Sequence, residues 1–213
     1  MAKNKPPRKL SGATGRERKT TTAKYQPIPP NEMLEAFQKG IDTFLSSEDT
    51  RREELKSASP AGVAIYTLAL PHVAAGKWTG ARAVGWRLVT GNEAGTEAGE
   101  QALADIATGE RHPQPRMVSF YPQAQSAEFI KNFREILETD QLQSARGFGL
   151  RLLRIPALLT DAFWIRSPDG MNDTMVPILA SATMKKRPYA PDEFLRALQP
   201  LVKKFLAFDK KSA

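Results

Sequence analysis

Residues 147–180 read GFGLRLLRIPALLTDAFWIRSPDGMNDTMVPILA and form the densest apolar stretch of the chain. Over 150–166, apolar side chains fall on both odd and even positions, a pattern typical of a strand that is covered on both faces. We therefore predict an extended core strand over 150–166, with a bulge or an edge at Pro156, which lacks a ladder donor. The alternative is a helix over 157–165 with the proline in its first turn, because short apolar runs are ambiguous by periodicity alone.

The segments that flank this stretch predict a turn, a second strand and two helices. Ser167–Gly170 (SPDG) has turn chemistry, and 175–179 (MVPIL) is expected to return as a short strand. An apolar stripe at helical spacing indicates a helix over 126–138, whose first residue is a capping serine. A last helix should begin at Pro191 or the residue after it, and Pro200 should kink or divide that helix.

The earlier part of the chain predicts further helices and strands. A helix is expected over 32–46, with Asn31 as its N-cap, and the polar segment 47–59 is expected to be a short exposed helix or a loop. We also predict a short helix over 94–107 and a loop with two prolines over 108–115. Additional strands are predicted at 63–70, 83–90 and 117–121.

These elements predict one α+β domain. Helices and strands are intermixed without strict alternation, which favours an antiparallel-rich sheet of four to five strands with helices packed on it. The domain is expected to span about 31–208, after a basic disordered arm over 1–30 and before a short tail over 209–213.

Composition limits the classes of protein to which the chain can belong. Of its 213 residues, 41% are hydrophobic, which is ordinary for a globular protein with one sizeable core. No apolar run reaches about 18 residues, so we expect no membrane span, and no apolar segment follows the charged N-terminus as in a secretory signal. The absence of cysteine excludes disulfides and thiolate chemistry and fits a cytoplasmic protein.

The positive charge is concentrated at the N-terminus. Residues 1–30 have eight basic side chains against Glu17, a net charge of +7, whereas the other 183 residues are nearly neutral. Clusters of this kind attract nucleic acid or other polyanions, and deletion of 2–24 should then abolish a strongly salt-dependent binding. The basic residues of this arm are Lys3, Lys5, Arg8, Lys9, Arg16, Arg18, Lys19 and Lys24.

The sequence contains no motif that assigns a reaction, a metal or a cofactor. The two histidines, His72 and His112, are 40 residues apart and lie in no metal-binding spacing. Asp161 is an acid inside an apolar run, so it is expected to be paired, protonated at an unusual pH or exposed at a bulge. A hydrolase or small-ligand binder would need a pocket that joins His72, Arg154 and Asp161.

Four segments together suggest a family. In chain order they are GWRLV (85–89), LRLLRIPALLTDAFWI (150–165), MVPIL (175–179) and PYAPDEFLRALQPL (188–201). They resemble segments shared by a set of bacterial proteins without a known activity, over roughly residues 63–206. The resemblance implies a bacterial origin and supports the architecture, but it implies no mechanism.

The leading functional prediction is a non-enzymatic module. We expect a protein-interaction or scaffold role in a bacterial cytoplasmic assembly, with an unidentified protein as its partner. Polyanion binding through the arm is one alternative, and an undetected hydrolase or small-ligand binder is the other.

Overall fold

The described part of the chain folds around one mixed β-sheet. The structure is a computed structural model that describes residues 27–90, 101–144, 147–179 and 184–212. These residues form seven strands flanked by helices on both faces. The strands are β1 (Ala61–Thr67), β2 (Arg82–Val89), β3 (Ala102–Gly109), β4 (His112–Pro122), β5 (Gly149–Ile155), β6 (Thr160–Arg166) and β7 (Thr174–Leu179).

The sheet joins two antiparallel meanders through one parallel pair. The strand order is β4-β3-β2-β1-β5-β6-β7, in which β1 and β5 are parallel and each other neighbouring pair is antiparallel. The predicted α+β class with helices on a sheet is therefore confirmed. The sheet is larger than the four to five strands expected for two reasons. A helix was predicted where β3 lies, and the single strand predicted over 150–166 is two strands, β5 and β6.

Helices cover the two faces unequally. One face is covered by α4, whereas α1, α3 and α6 cover the other. Within β5, Leu152 packs on the α4 side and Leu153 on the α6 side, and both are fully buried. The helices are α1 (Asn31–Phe44), α2 (Arg51–Ser57), α3 (Leu70–Ala74), α4 (Gln123–Leu137), α5 (Asp140–Ser144) and α6 (Pro191–Ser212).

The stretch 150–166 is extended, as predicted, but it forms a hairpin and not one strand. Strands β5 and β6 pair antiparallel, and a 3₁₀ turn over Pro156–Leu158 joins them. The prediction of a single strand is therefore wrong, and so is the alternative of a helix over 157–165. Both strands of the hairpin have buried residues on both faces, and the residues that connect them, 156–159 (PALL), are apolar too. The sequence therefore has no polar turn that would mark the boundary between the two strands. The fixed φ of proline suits the start of the turn.

The predicted helix over 94–107 is wrong where the structure describes it. Residues 102–107 lie in β3, and the part of the predicted helix before residue 101 lies outside the described residues. Pairing with β2 and β4 overrides the helix propensity of the alanines, because Leu103 and Ala104 are buried on opposite faces of the sheet.

The predicted proline loop over 108–115 is also wrong. Pro113 and Pro115 lie in β4, which continues to Pro122 at one edge of the sheet. An edge strand has free positions that need no ladder donor, so it tolerates proline. The strand predicted at 117–121 is the inner part of β4.

Two predicted helix caps are wrong, and so is the predicted division of the last helix at Pro200; the alternative, a kink at that residue, stays a prediction. The N-caps of α1 and α4 are Pro30 and Pro122, and neither has a side-chain cap hydrogen bond. Asn31 is instead the first residue of α1, and Ser126 donates back to the Pro122 carbonyl at 3.2 Å from inside the first turn of α4. Helix α6 continues through Pro200 without being divided.

The turn and the strand predicted after 166 are confirmed. The Gly170 amide donates to the Ser167 carbonyl at 3.1 Å, and Gly170 has a left-handed φ of +71°. Asp173 accepts hydrogen bonds from the amide and the hydroxyl of Ser167, which fixes the loop that leads into β7. The strands predicted at 63–70 and 83–90 are β1 and β2, within two or three residues at each end.

Candidate functional site

An arginine–aspartate pair is buried on the sheet face that α4 covers. Arg87 on β2 and Asp105 on β3 are direct cross-strand partners. The Arg87 Nε donates to Asp105 Oδ1 at 2.7 Å, and Nη2 donates to Oδ2 at 2.8 Å. Both side chains are less than 10% exposed, so this is a bidentate ion pair held away from water.

The surroundings of Arg87 keep it charged. Burial lowers the pKa of the Arg87 guanidinium, but the hydrogen bonds and the charge of Asp105 outweigh that effect, so its pKa lies above the ordinary value. The guanidinium carbon also lies 4.8 Å from the ring centroid of Phe129 on α4, a cation–π distance. Loss of Asp105 would therefore leave a buried cation without its counter-charge.

Arg154 and Asp161, two of the three predicted pocket residues, lie together beside this pair. They face each other across β5 and β6, and Arg154 Nε lies 3.4 Å from Asp161 Oδ1. Arg154 also reaches across β1 and β2 to Asp105 on β3, with Nη1 at 3.4 Å from Oδ2. These contacts are longer than those of Arg87, and the Arg154 side chain is 36% exposed.

His72, the third predicted pocket residue, lies apart from Arg154 and Asp161. It belongs to α3, which packs with α6 on the opposite face of the sheet. Its ring lies against Gly80, where an added Cβ would be 2.3 Å from the ring. The triad of polar groups that the hydrolase hypothesis needs is thus not brought into one pocket.

The remaining predicted sites are placed as follows. The basic arm residues between Lys3 and Lys24 lie outside the described residues. Within the part of the chain that the structure describes, no group of three or more His, Asp or Glu side chains is placed to hold a metal ion. Among the described helices, none has the length and apolarity needed to cross a membrane.

A second region, which we name the apolar groove, lies where the end of α6 passes the β5–β6 turn. Its volume is about 510 Å³. Two of its side chains are strongly exposed, Leu159 at 77% and Phe208 at 72%. The groove is lined by Ala157, Leu158, Leu159, Leu201, Lys204, Phe205, Ala207 and Phe208.

Leu159 holds an unusual backbone in this groove. Its φ is +47° and its ψ is 45°, the left-handed region that L residues other than glycine and asparagine seldom adopt. This conformation costs roughly 1–2 kcal/mol for a residue with a Cβ and a branched side chain. The left-handed backbone and the exposed apolar side chain thus coincide at this one residue.

Sequence reasoning missed the apolar groove. Leu159 lies within the run expected to be covered on both faces, and Phe205 and Leu206 continue the helical spacing of the buried residues before them, so spacing alone predicts burial for all three. A weak signal was present, since the apolar stripe of the last helix continues to Phe208, well past the length of the neighbouring strands.

Comparison with family models, with curated proteins and with solved structures finds no match to this chain. The resemblance to bacterial proteins therefore stays a prediction from the sequence.

Proposed function

We propose that the protein is a non-enzymatic protein-interaction module that binds a helix of a partner protein in the apolar groove. Exposure of Leu159 in a left-handed conformation carries this proposal. Glycine or asparagine would occupy that backbone with less strain and would expose less apolar surface. At 77% exposure the Leu159 side chain buries little apolar surface within the chain, so we explain the leucine by a contact outside the chain.

The shape of the groove favours a protruding side chain from a partner. Leu159 forms one wall, and Phe205 and Phe208 on α6 form the other. From Leu201 to Phe208 the helix wall is about 10 Å long, at the usual rise per residue, which matches two turns of a docked helix. A concave apolar site of this kind accepts the anchors of an amphipathic helix.

The charge at the rim favours an acidic partner. Lys203 and Lys204 are both exposed, and Lys204 lines the groove. A second copy of this chain would bring the same lysines towards each other across a two-fold axis, which like-charge repulsion disfavours. We therefore assign the groove to an amphipathic helix whose polar face is acidic.

Site-specific photo-crosslinking tests this assignment. A photoreactive phenylalanine analogue replaces Phe208 in the full chain expressed in its native host, and the crosslinked species are identified by mass spectrometry. The matched control carries the same analogue at Met171, which is 80% exposed but lies outside the groove. We expect a protein adduct through an acidic amphipathic segment at position 208 but not at position 171.

If the partner docks in the groove, the yield of the adduct should depend on the residues that line the groove. K204E should reduce the yield of the adduct, because it reverses the rim charge without changing the core. Equal adducts at positions 208 and 171, an adduct with a second copy of the chain, or crosslinking to lipid alone would each contradict the proposal.

A further inference from the structure

A wide cleft opens on the α4 side of the sheet, lined by residues of the strands and separate from the apolar groove. Its volume is about 910 Å³, which is within the range of small-molecule sites. Its walls come from β1 to β5 and from the β3–β4 turn, so its shape is set by the sheet. Arg154, Asp105, Ser119 and Tyr121 line it together with apolar side chains such as Ile65 and Val84.

The charged groups of this cleft differ in their access to solvent. Arg154 is 36% exposed and lines the cleft, whereas the carboxylates it contacts are more deeply buried, Asp105 at 7% and Asp161 at 17%. Asp105 is also held by both nitrogens of Arg87. A molecule that enters the cleft therefore meets the guanidinium first and the carboxylates only behind it.

The contacts of Arg154 leave it able to bind a further acceptor. Its contacts with the two carboxylates are 3.4 Å, beyond the distance of a strong charge-assisted hydrogen bond. A guanidinium has five donors in a planar fork, and a carboxylate matches two of them at once. Arg82 and Arg111 also line the cleft, against Glu110, and add to the positive character of its mouth.

We propose that this cleft binds a small organic carboxylate, with the anionic group on the Arg154 guanidinium and an apolar body against the wall that includes Ile65 and Val84. The Arg87–Asp105 ion pair holds Arg154 in place through Asp105, and Arg87 itself does not line the cleft. This assignment is independent of the helix-docking function, because no residue that lines the cleft also lines the apolar groove.

Titration of the full chain with benzoate tests the proposal, with the Arg154 Nε–Hε resonance observed by NMR in the unsubstituted protein and the backbone amide of Ser119, which also lines the cleft, observed in every variant. Benzylamine is the charge-reversed probe of similar shape. We expect a saturable shift with benzoate and none with benzylamine. R154Q should weaken benzoate binding about ten- to hundredfold, the loss that follows removal of a hydrogen bond to a charged group. R166Q is the matched control, because Arg166 is exposed and lies outside the cleft.

A measurement on the unsubstituted protein covers the case in which R154Q does not fold. Phenylglyoxal modifies accessible arginines, and mass spectrometry maps the modified residues. Benzoate should slow the modification of Arg154 and leave that of Arg166 unchanged. The proposal is overturned if benzoate gives no saturable shift, if benzylamine binds equally well, if a folded R154Q retains the affinity, or if benzoate protects neither arginine or both alike.

Discussion

The first half of α6 (191–202) and its second half (203–212) contain the same kinds of apolar residue but differ in their surroundings. Phe194 and Leu198 in the first half are fully buried against β5, β7 and α3. In the second half, Phe205 is 41% exposed and Phe208 is 72% exposed. The helical spacing of the apolar residues continues through both halves, but the second half lies beside the turn over Pro156–Leu158 and not over the sheet. Periodicity thus identifies an apolar helix face, and the rest of the fold decides whether another element packs against that face.

The largest expected effect is the loss of stability when a phenylalanine is removed from the first half of α6, compared with the same change in the second half. F194A removes a fully buried ring that packs on Trp78 and Tyr189, so it should lower the free energy of unfolding by about 3–5 kcal/mol. F208A should change it by less than about 0.5 kcal/mol, because the Phe208 ring is mostly in water already. Urea unfolding of both variants measures the difference, and similar losses would show that the second half is also part of the core.

A smaller change in the free energy of unfolding, a gain and not a loss, is expected for a substitution in the turn beside the second half of α6. L159N should raise the free energy of unfolding by about 0.5–1 kcal/mol, because asparagine adopts the left-handed backbone with less strain. L179N is the matched control, since Leu179 is 57% exposed in a strand with no positive φ. Thermal and urea unfolding measure both variants. A loss of stability in L159N would mean that the leucine supports the fold, which would remove the main argument for the groove as a docking site.

The smallest expected effect concerns pH and the first turn of α6. Hydrogen bonding to Arg187 lowers the pKa of Glu193 below its ordinary value of 4.5. A carboxyl group whose pKa is lower in the folded state contributes stability above its unfolded pKa, and the contribution is lost as the pH falls through the folded pKa. The pair is exposed, so the contribution is small and screened by salt.

The variant E193Q isolates this contribution. Wild type should melt slightly above E193Q at about pH 6, and the difference should shrink as the pH falls below the ordinary pKa of 4.5 and vanish once the Glu193 carboxyl is protonated. Calorimetric melting across this range measures the convergence. A difference that stays constant with pH would show that Arg187 and Glu193 are not coupled in solution.

Local patterns were sufficient for the type of most elements. The stripe over 126–138, the SPDG turn and the short strand at 175–179 are all formed as predicted, because each depends on spacing or turn chemistry within a few residues. The same reasoning failed for 102–107, where alanines favour a helix locally but two neighbouring strands supply hydrogen bonds and burial.

The contacts within the candidate sites could be predicted only from the fold. Arg154 and Asp161 were both singled out in the sequence, but their contact depends on the hairpin register, and the approach of Arg154 to Asp105 joins residues 49 apart. Arg87 and Asp105 carried no signal, because an arginine and an aspartate in two separate strands predict a pair only when the strand register is known.

The amino-acid order therefore determined the apolar patterns of most helices and strands, the position of the SPDG turn and how charge is divided between residues 1–30 and the rest of the chain. The order of strands, the hairpin within 150–166, the ion pairs beneath the cleft and the uncovered end of α6 were settled by packing between distant segments. Apolar spacing and turn chemistry depend on residues a few positions apart in the chain. Strand register and the burial of an apolar face depend on which distant segments pack together after the chain has folded.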